Sequence, residues 1–154
     1  MNLKERELSY RRAAVENASS VGLIIILYDL LIEDLRNAVS AIEKRDIEGR
    51  ANAIKHCFLV LQQLEGSLDK ENGKEASEFL AKFYAVMRCR ILEAHMKVSA
   101  EILNQQVTRV LDLRQTWQRL DPGNPTPAIT AVPGAPQAVS AAGDGETENA
   151  NWTA

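Results

Sequence analysis

Few residues in this chain have the types and spacing that chemistry requires. The candidates are Cys57, Cys89, His56, His95 and the acidic pairs Glu33-Asp34 and Glu75/Glu78. A di-iron site in a helical bundle needs Glu-x-x-His, which puts carboxylate and imidazole on one face. Three residues before His56 stands Ala53, and three before His95 stands Leu92. That motif is therefore absent. So are His-Glu-x-x-His, a glycine-rich phosphate loop and a Gly-x-Ser-x-Gly elbow. Neither cysteine has a CxxC partner. Cys57 with His95, or Cys89 with His56, would be the pairs for nucleophilic attack, but both thiols fall inside regular helical patterns with no visible activating group. They read as reduced thiols in or near a core, in a cytosolic protein. The paired acids read as solvated helix faces. The expectation is a protein without catalytic residues, metal or cofactor.

The elements that hold these residues are set by proline. All 5 prolines lie between Pro122 and Pro136, so residues 1–121 contain none. Average usage of about 5% would place roughly six there. Their absence favours long unbroken helices over a turn-rich β-sandwich. All 18 Lys and Arg, and 18 of the 21 Asp and Glu, lie in 1–121, so this body is neutral. The remaining Asp144, Glu146 and Glu148 give the chain its net charge of −3. A neutral body lacks the concentrated basic face that nucleic acid requires. Met1 to Ser20 lacks the apolar run of a signal peptide. The longest apolar stretch, Leu23 to Ile32, is interrupted by Asp29 and falls short of the about 20 residues a bilayer needs. A cytoplasmic protein without membrane insertion is expected.

The spacing predicts an all-α fold. A sparse N-terminal helix covers about Leu3 to Glu16 and needs something to dock on. Asn17 to Ser20 form a break, with Ser19 as N-cap of the next helix. That helix runs to about Lys44, with Ile24, Leu27, Tyr28, Leu31, Leu35, Ala38 and Ile42 on one face. Asp46 caps a third, Ile47 to about Leu68, with Ile47, Ala51, Ile54, Phe58, Leu61 and Leu68 in line. Asp69 to Gly73 form a turn, with a left-handed backbone expected at Gly73. The fourth helix, about Glu75 to Val98, aligns Ala76, Leu80, Phe83, Tyr84, Met87, Ile91, Ala94 and Val98. The fifth, about Glu101 to Leu120, aligns Leu103, Val107, Val110, Leu111, Arg114 and Trp117, after a weakly marked turn near Ser99. Four such stripes joined by short turns read as an antiparallel four-helix bundle, with the short N-terminal helix packed on or near it. Residues 122–154, rich in Pro, Gly and Ala and poor in aliphatics, read as a disordered acidic tail.

The second helix has more apolar surface than one core face uses. With Ile24 at zero and 100° per residue, Leu23, Ile26 and Leu30 fall at about 260°, 200° and 240°. This second stripe stops at Glu33 and Asp34. On the fourth helix Phe79 and Val86 likewise lie at about 260° and 240° from Leu80. A helix apolar on two sides needs two neighbours. The N-terminal helix could cover the stripe with Leu8, Tyr10 and Val15. Alternatively, the stripe could line a groove for an amphipathic partner helix. Both hold if the N-terminal helix is a displaceable lid.

Several short segments stand in a characteristic order from Tyr10 to Trp117. They are Tyr10 with Val15 and Ala18-Ser19, Leu27-Tyr28-Asp29, Ala41-Ile42-Glu43 with Asp46, and Ser67-Leu68-Asp69 with Glu71. Gly73 with Glu75-Ala76, Leu80, Tyr84, Met87, Arg90, Glu93-Ala94, and Leu113-Arg114 with Trp117 follow. In this order and spacing the chain resembles the flagellar secretion chaperone family, FliS. The resemblance implies a cytosolic helical bundle without enzymatic activity. It implies that the disordered C-terminal segment of flagellin is held in hydrophobic grooves, kept from premature polymerisation and presented to the flagellar type III export gate. On this reading Leu23, Ile26, Leu30, Phe79 and Val86 line or border the groove, and Tyr10 lies on the lid. A regulatory adaptor that binds an amphipathic segment of a regulator is the alternative. Two departures stand out. Where the family usually has Ser-Pro-Gly-Glu-Leu, this chain has Ser19-Ser20-Val21-Gly22-Leu23, losing the proline and the capping-box glutamate. The family's Leu-Tyr-Asp-Gly reads Leu27-Tyr28-Asp29-Leu30, which adds apolar area.

Overall fold

The computed structural model describes residues 2–16 and 18–120. It consists of α1 (Leu3–Glu16), α2 (Ser20–Glu43), α3 (Ile47–Gly66), α4 (Lys74–Lys97) and α5 (Ala100–Leu120). The expected tail, 122–154, lies outside the described residues.

The helices begin where side chains can satisfy their first amides. Gly22 N–H donates to Ser19 Oγ at 3.0 Å, and Gly49 N–H donates to Asp46 Oδ1 at 2.8 Å. The turn near Ser99 is real: Ile102 N–H donates to Ser99 Oγ at 3.2 Å, and Val98 before it has a left-handed backbone with φ 53°. Gly73 corrects the sequence reading. Its φ is −142°, so no left-handed residue closes that turn. Asp69 organises it instead, accepting from the backbone N–H of Glu71 and of Asn72, each at 3.1 Å.

Short connections force antiparallel neighbours. α2 packs along α3 and α5, and α4 packs along the same two helices from the opposite corner. The core between them contains Tyr28, Leu31, Leu35, Leu61, Leu64, Tyr84, Met87, Ile91, Leu103 and Val110. α1 shares no comparable interface with any of the four, and none of its residues is buried.

Four expectations shift. On α2, Ile25 and Ile32 are also buried, because that helix faces two neighbours and its buried arc is wider than one stripe. On α3 the buried side turns toward Ala53, Cys57, Val60 and Leu64, while Ile47 is 70% exposed. A stripe counted from bulky residues misses Ala53 and Cys57, whose small side chains suit the close α2–α3 interface. On α5, Gln106 is fully buried, its Nε2 donating to the Ile102 carbonyl, while Leu111 is exposed. Asp34 lies in no solvated face: it is buried, and its Oδ2 stands 2.5 Å from Nδ1 of His56 on α3.

Candidate partner-binding groove

The N-terminal half of α2 borders a cavity of about 690 Å³. Leu23, Ile24, Ile26, Leu27 and Leu30 form its α2 wall. Ser67, Leu68 and Asp69, past the end of α3, form another side, and Ala76, Ser77, Leu80 and Tyr84 of α4 a third. Trp117 of α5 completes the lining near that end of the bundle. Small residues leave this volume. Gly73, Ala76 and Ser77 start α4 where larger side chains would fill the gap.

The polar atoms around the cavity are largely engaged. Ser67 Oγ donates to the Leu64 carbonyl at 2.7 Å, and Ser77 Oγ donates to the Asp69 carbonyl at 2.6 Å. No lysine, arginine or histidine lines it. Asp69 does, and the Asn72 backbone N–H holds its carboxyl below the usual range. The hydroxyl of Tyr84 is 2.8 Å from that of Tyr28, which lies in the core and does not line the cavity. The Tyr28 and Trp117 rings meet edge to face, 6.4 Å between centroids.

A second cavity of about 360 Å³ lies between α1 and α2. Tyr10, Arg11, Ala14 and Val15 face Ile26, Asp29, Leu30 and Glu33 across it. Val15, Ile26 and Leu30 line both cavities, so these three form the partition. Arg11 Nη2 binds Glu33 Oε2 at 3.2 Å and ties α1 down.

The structure brings Leu23, Ile26 and Leu30 to the larger cavity, and Tyr10 to the smaller one with Ile26 and Leu30. Phe79 and Val86 stand apart on α4. They are 40% and 50% exposed and line neither cavity. Phe79 stacks instead on Phe83. Tyr84, Leu68 and Trp117 pack in or against the core, as their stripes predict, and they also line the cavity, which the spacing does not show. A helical wheel gives direction but not depth along the bundle, so the open end was not visible. The small residues at the start of α4 were the signal that could have shown it.

No competing chemistry assembles from the other candidates. His95 Nδ1 accepts from Arg50 Nε at 3.3 Å, and His56 is occupied by Asp34. Cys57 is buried, and burial together with Asp34 pushes its thiol up, away from the reactive thiolate. Cys89 is exposed, not in a core. Among the described residues no group of three or more metal-binding side chains occurs. No helix among them is long and apolar enough to cross a membrane.

Comparison with known proteins decides what kind of bundle this is. The family model for the flagellar protein FliS matches residues 2–124, which covers α1 through α5. The chain belongs to the FliS family. It is 25% identical over 111 residues to the flagellar secretion chaperone FliS of Salmonella typhimurium, covering 71% of this chain and 82% of that protein. It is 24% identical over 119 residues to the flagellar secretion chaperone FliS of Bacillus subtilis, covering 77% and 88%. It is 27% identical over 105 residues to the flagellar secretion chaperone FliSB of Pseudomonas aeruginosa, covering 68% and 83%. FliS proteins are chaperones, not enzymes, in keeping with a site made of apolar surface.

Proposed function

We propose that this chain is a cytoplasmic export chaperone for flagellin. It holds the flagellin C-terminal segment as amphipathic helix against α2, blocks its polymerisation and delivers it to the flagellar export gate. The observation that carries this reading is the apolar cavity beside a helix that is apolar on two sides, under a lid with no buried residue.

The energetics follow from apolar burial. Each 100 Å² of apolar surface covered contributes roughly 2.5 kcal/mol, less the entropy of ordering the segment. Displacing α1 costs little by comparison. Its described ion pair to the bundle joins two half-exposed side chains, and such a pair contributes at most about 1 kcal/mol. A partner helix therefore outcompetes the lid. Leu23, Ile26 and Leu30 receive it and Tyr10 rides on the lid, while Phe79 and Val86, outside both cavities, add exposed apolar surface on α4.

Affinity capture from cells, with full-length flagellin and flagellin lacking its C-terminal segment supplied in parallel, tests the partner. Full-length flagellin is expected as the dominant species, and the truncated form is expected to be lost. Recovery of a regulator in place of flagellin would favour the adaptor reading.

A further inference from the structure

The floor of the larger cavity has a donor to spare. Tyr28 and Tyr84 are 1% and 2% exposed, and their hydroxyl oxygens are 2.8 Å apart. One proton lies between two such oxygens, so only one of the two O–H groups donates within the pair. Among the described residues neither hydroxyl makes another hydrogen bond that could take the second proton. Burial keeps both phenols protonated, pushing Tyr84 up to about 12 and Tyr28 further. The indole N–H of Trp117 adds no acceptor. It is buried and reaches toward Tyr28 without closing a hydrogen bond of normal geometry.

The position of the two rings says where the spare proton goes. Tyr84 lines the cavity and Tyr28 does not. With Tyr28 donating to Tyr84, the remaining O–H belongs to the one of the two residues that borders the cavity. The reverse arrangement would strand a donor on Tyr28, which borders no cavity, and a buried unpaired donor is costly.

We infer that the occupant of this cavity presents one neutral hydrogen-bond acceptor to Tyr84 Oη. The partner is then a helix whose apolar face carries a single amide or hydroxyl oxygen at the depth of Tyr84. A carboxylate is disfavoured, because the lining holds Asp69 and no cation. Tyr84 thereby selects among apolar helices that fill the cavity equally well. This inference rests on the reading that the cavity receives a partner helix.

Two small ligands of similar shape test the donor without any peptide. Acetophenone carries a carbonyl acceptor, and ethylbenzene carries none. Binding is followed by NMR shifts of the Trp117 indole and the cavity methyl groups. Y84F is expected to weaken acetophenone about three- to tenfold, the size of one net neutral hydrogen bond, and to leave ethylbenzene unchanged. Y28F keeps the Tyr84 donor and is expected to bind acetophenone at least as well as wild type. A purely structural role would move both ligands together in both variants. Equal effects on the two ligands, or no acetophenone binding by wild type, overturns the inference. If Y84F does not fold, the carbonyl stretch of bound acetophenone decides, together with its NOE to the Tyr84 ring. A hydrogen-bonded frequency supports the inference, and a hydrocarbon-like frequency overturns it. A flagellin peptide that fails to bind wild type, with acetophenone behaving as expected, would sink the partner and leave the donor standing.

Discussion

Arg114 on α5 grips Asp29 on α2 through two hydrogen bonds, Nε to Oδ1 at 2.5 Å and Nη2 to Oδ2 at 3.3 Å. The fork ties the two helices together beside the cavity, three residues from Trp117 and one from Leu30. It also takes Arg114 out of the apolar stripe to which its spacing assigned it. Asp29 is half exposed, so the pair sits near the top of the range for surface ion pairs, about 1 kcal/mol. Arg114→Leu should therefore lower unfolding free energy by about that much in urea titration. A variant as stable as wild type would show that the fork contributes nothing.

Ser19 is the one designed start left to α2 once proline and the capping-box glutamate are gone. Ser19→Ala should cost about 1 kcal/mol. Amide exchange should rise in the first turn, Ser20 to Leu23, while the centre of α2 stays protected. Uniform acceleration along α2 would instead mean that the cap holds the whole helix.

Much of this was legible in the sequence. Absent proline, helical spacing and the caps Ser19 and Asp46 were enough for five helices and their order. The second stripe on α2 was readable because Leu23, Ile26 and Leu30 repeat on one side. What escaped depended on neighbours. Asp34 looks like its solvated neighbour Glu33 until α3 brings His56 against it. Gln106 looks exposed until α5 takes its place in the core. Phe79 and Val86 share an angle with the α2 stripe on their own helix, but an angle on one helix says nothing of its position relative to another. They therefore stand apart from both cavities.

The Asp34–His56 pair sets a pH response. Burial, the largest influence, raises the Asp34 pKa above its ordinary 3.8, while the hydrogen bond from His56 acts the other way. A raised acid pKa means that the folded state holds the proton more tightly than the unfolded state. The stability so gained is complete below 3.8 and is lost as pH rises through the folded value. Asp34→Asn cannot ionise and can still accept from His56. The difference in stability between wild type and D34N should favour wild type progressively less as pH rises out of the acid range. D34N should be no less stable at neutral pH. A pH-independent difference in denaturant titrations would contradict this.

The two thiols should separate cleanly in a thiol-titration assay. Cys89 is exposed and should react in the native protein. Cys57 is fully buried, and burial and Asp34 raise its pKa, so it should wait for unfolding. One fast equivalent followed by a second only in denaturant is expected. Two fast equivalents would mean that the α2–α3 interface opens readily.

The central claim is that the apolar wall of α2 receives flagellin. Calorimetry of a flagellin C-terminal peptide on wild type, Ile26→Asp and Leu30→Asp tests it most directly. Both side chains lie in the partition between the cavities and are only partly buried, so the bundle should stay folded by circular dichroism. Wild type should bind with micromolar or tighter affinity, with a negative heat-capacity change. Each aspartate should weaken binding by at least about tenfold, since a buried unpaired carboxylate costs well over 1.4 kcal/mol. Peptide binding that survives both substitutions in a folded bundle would contradict the assignment.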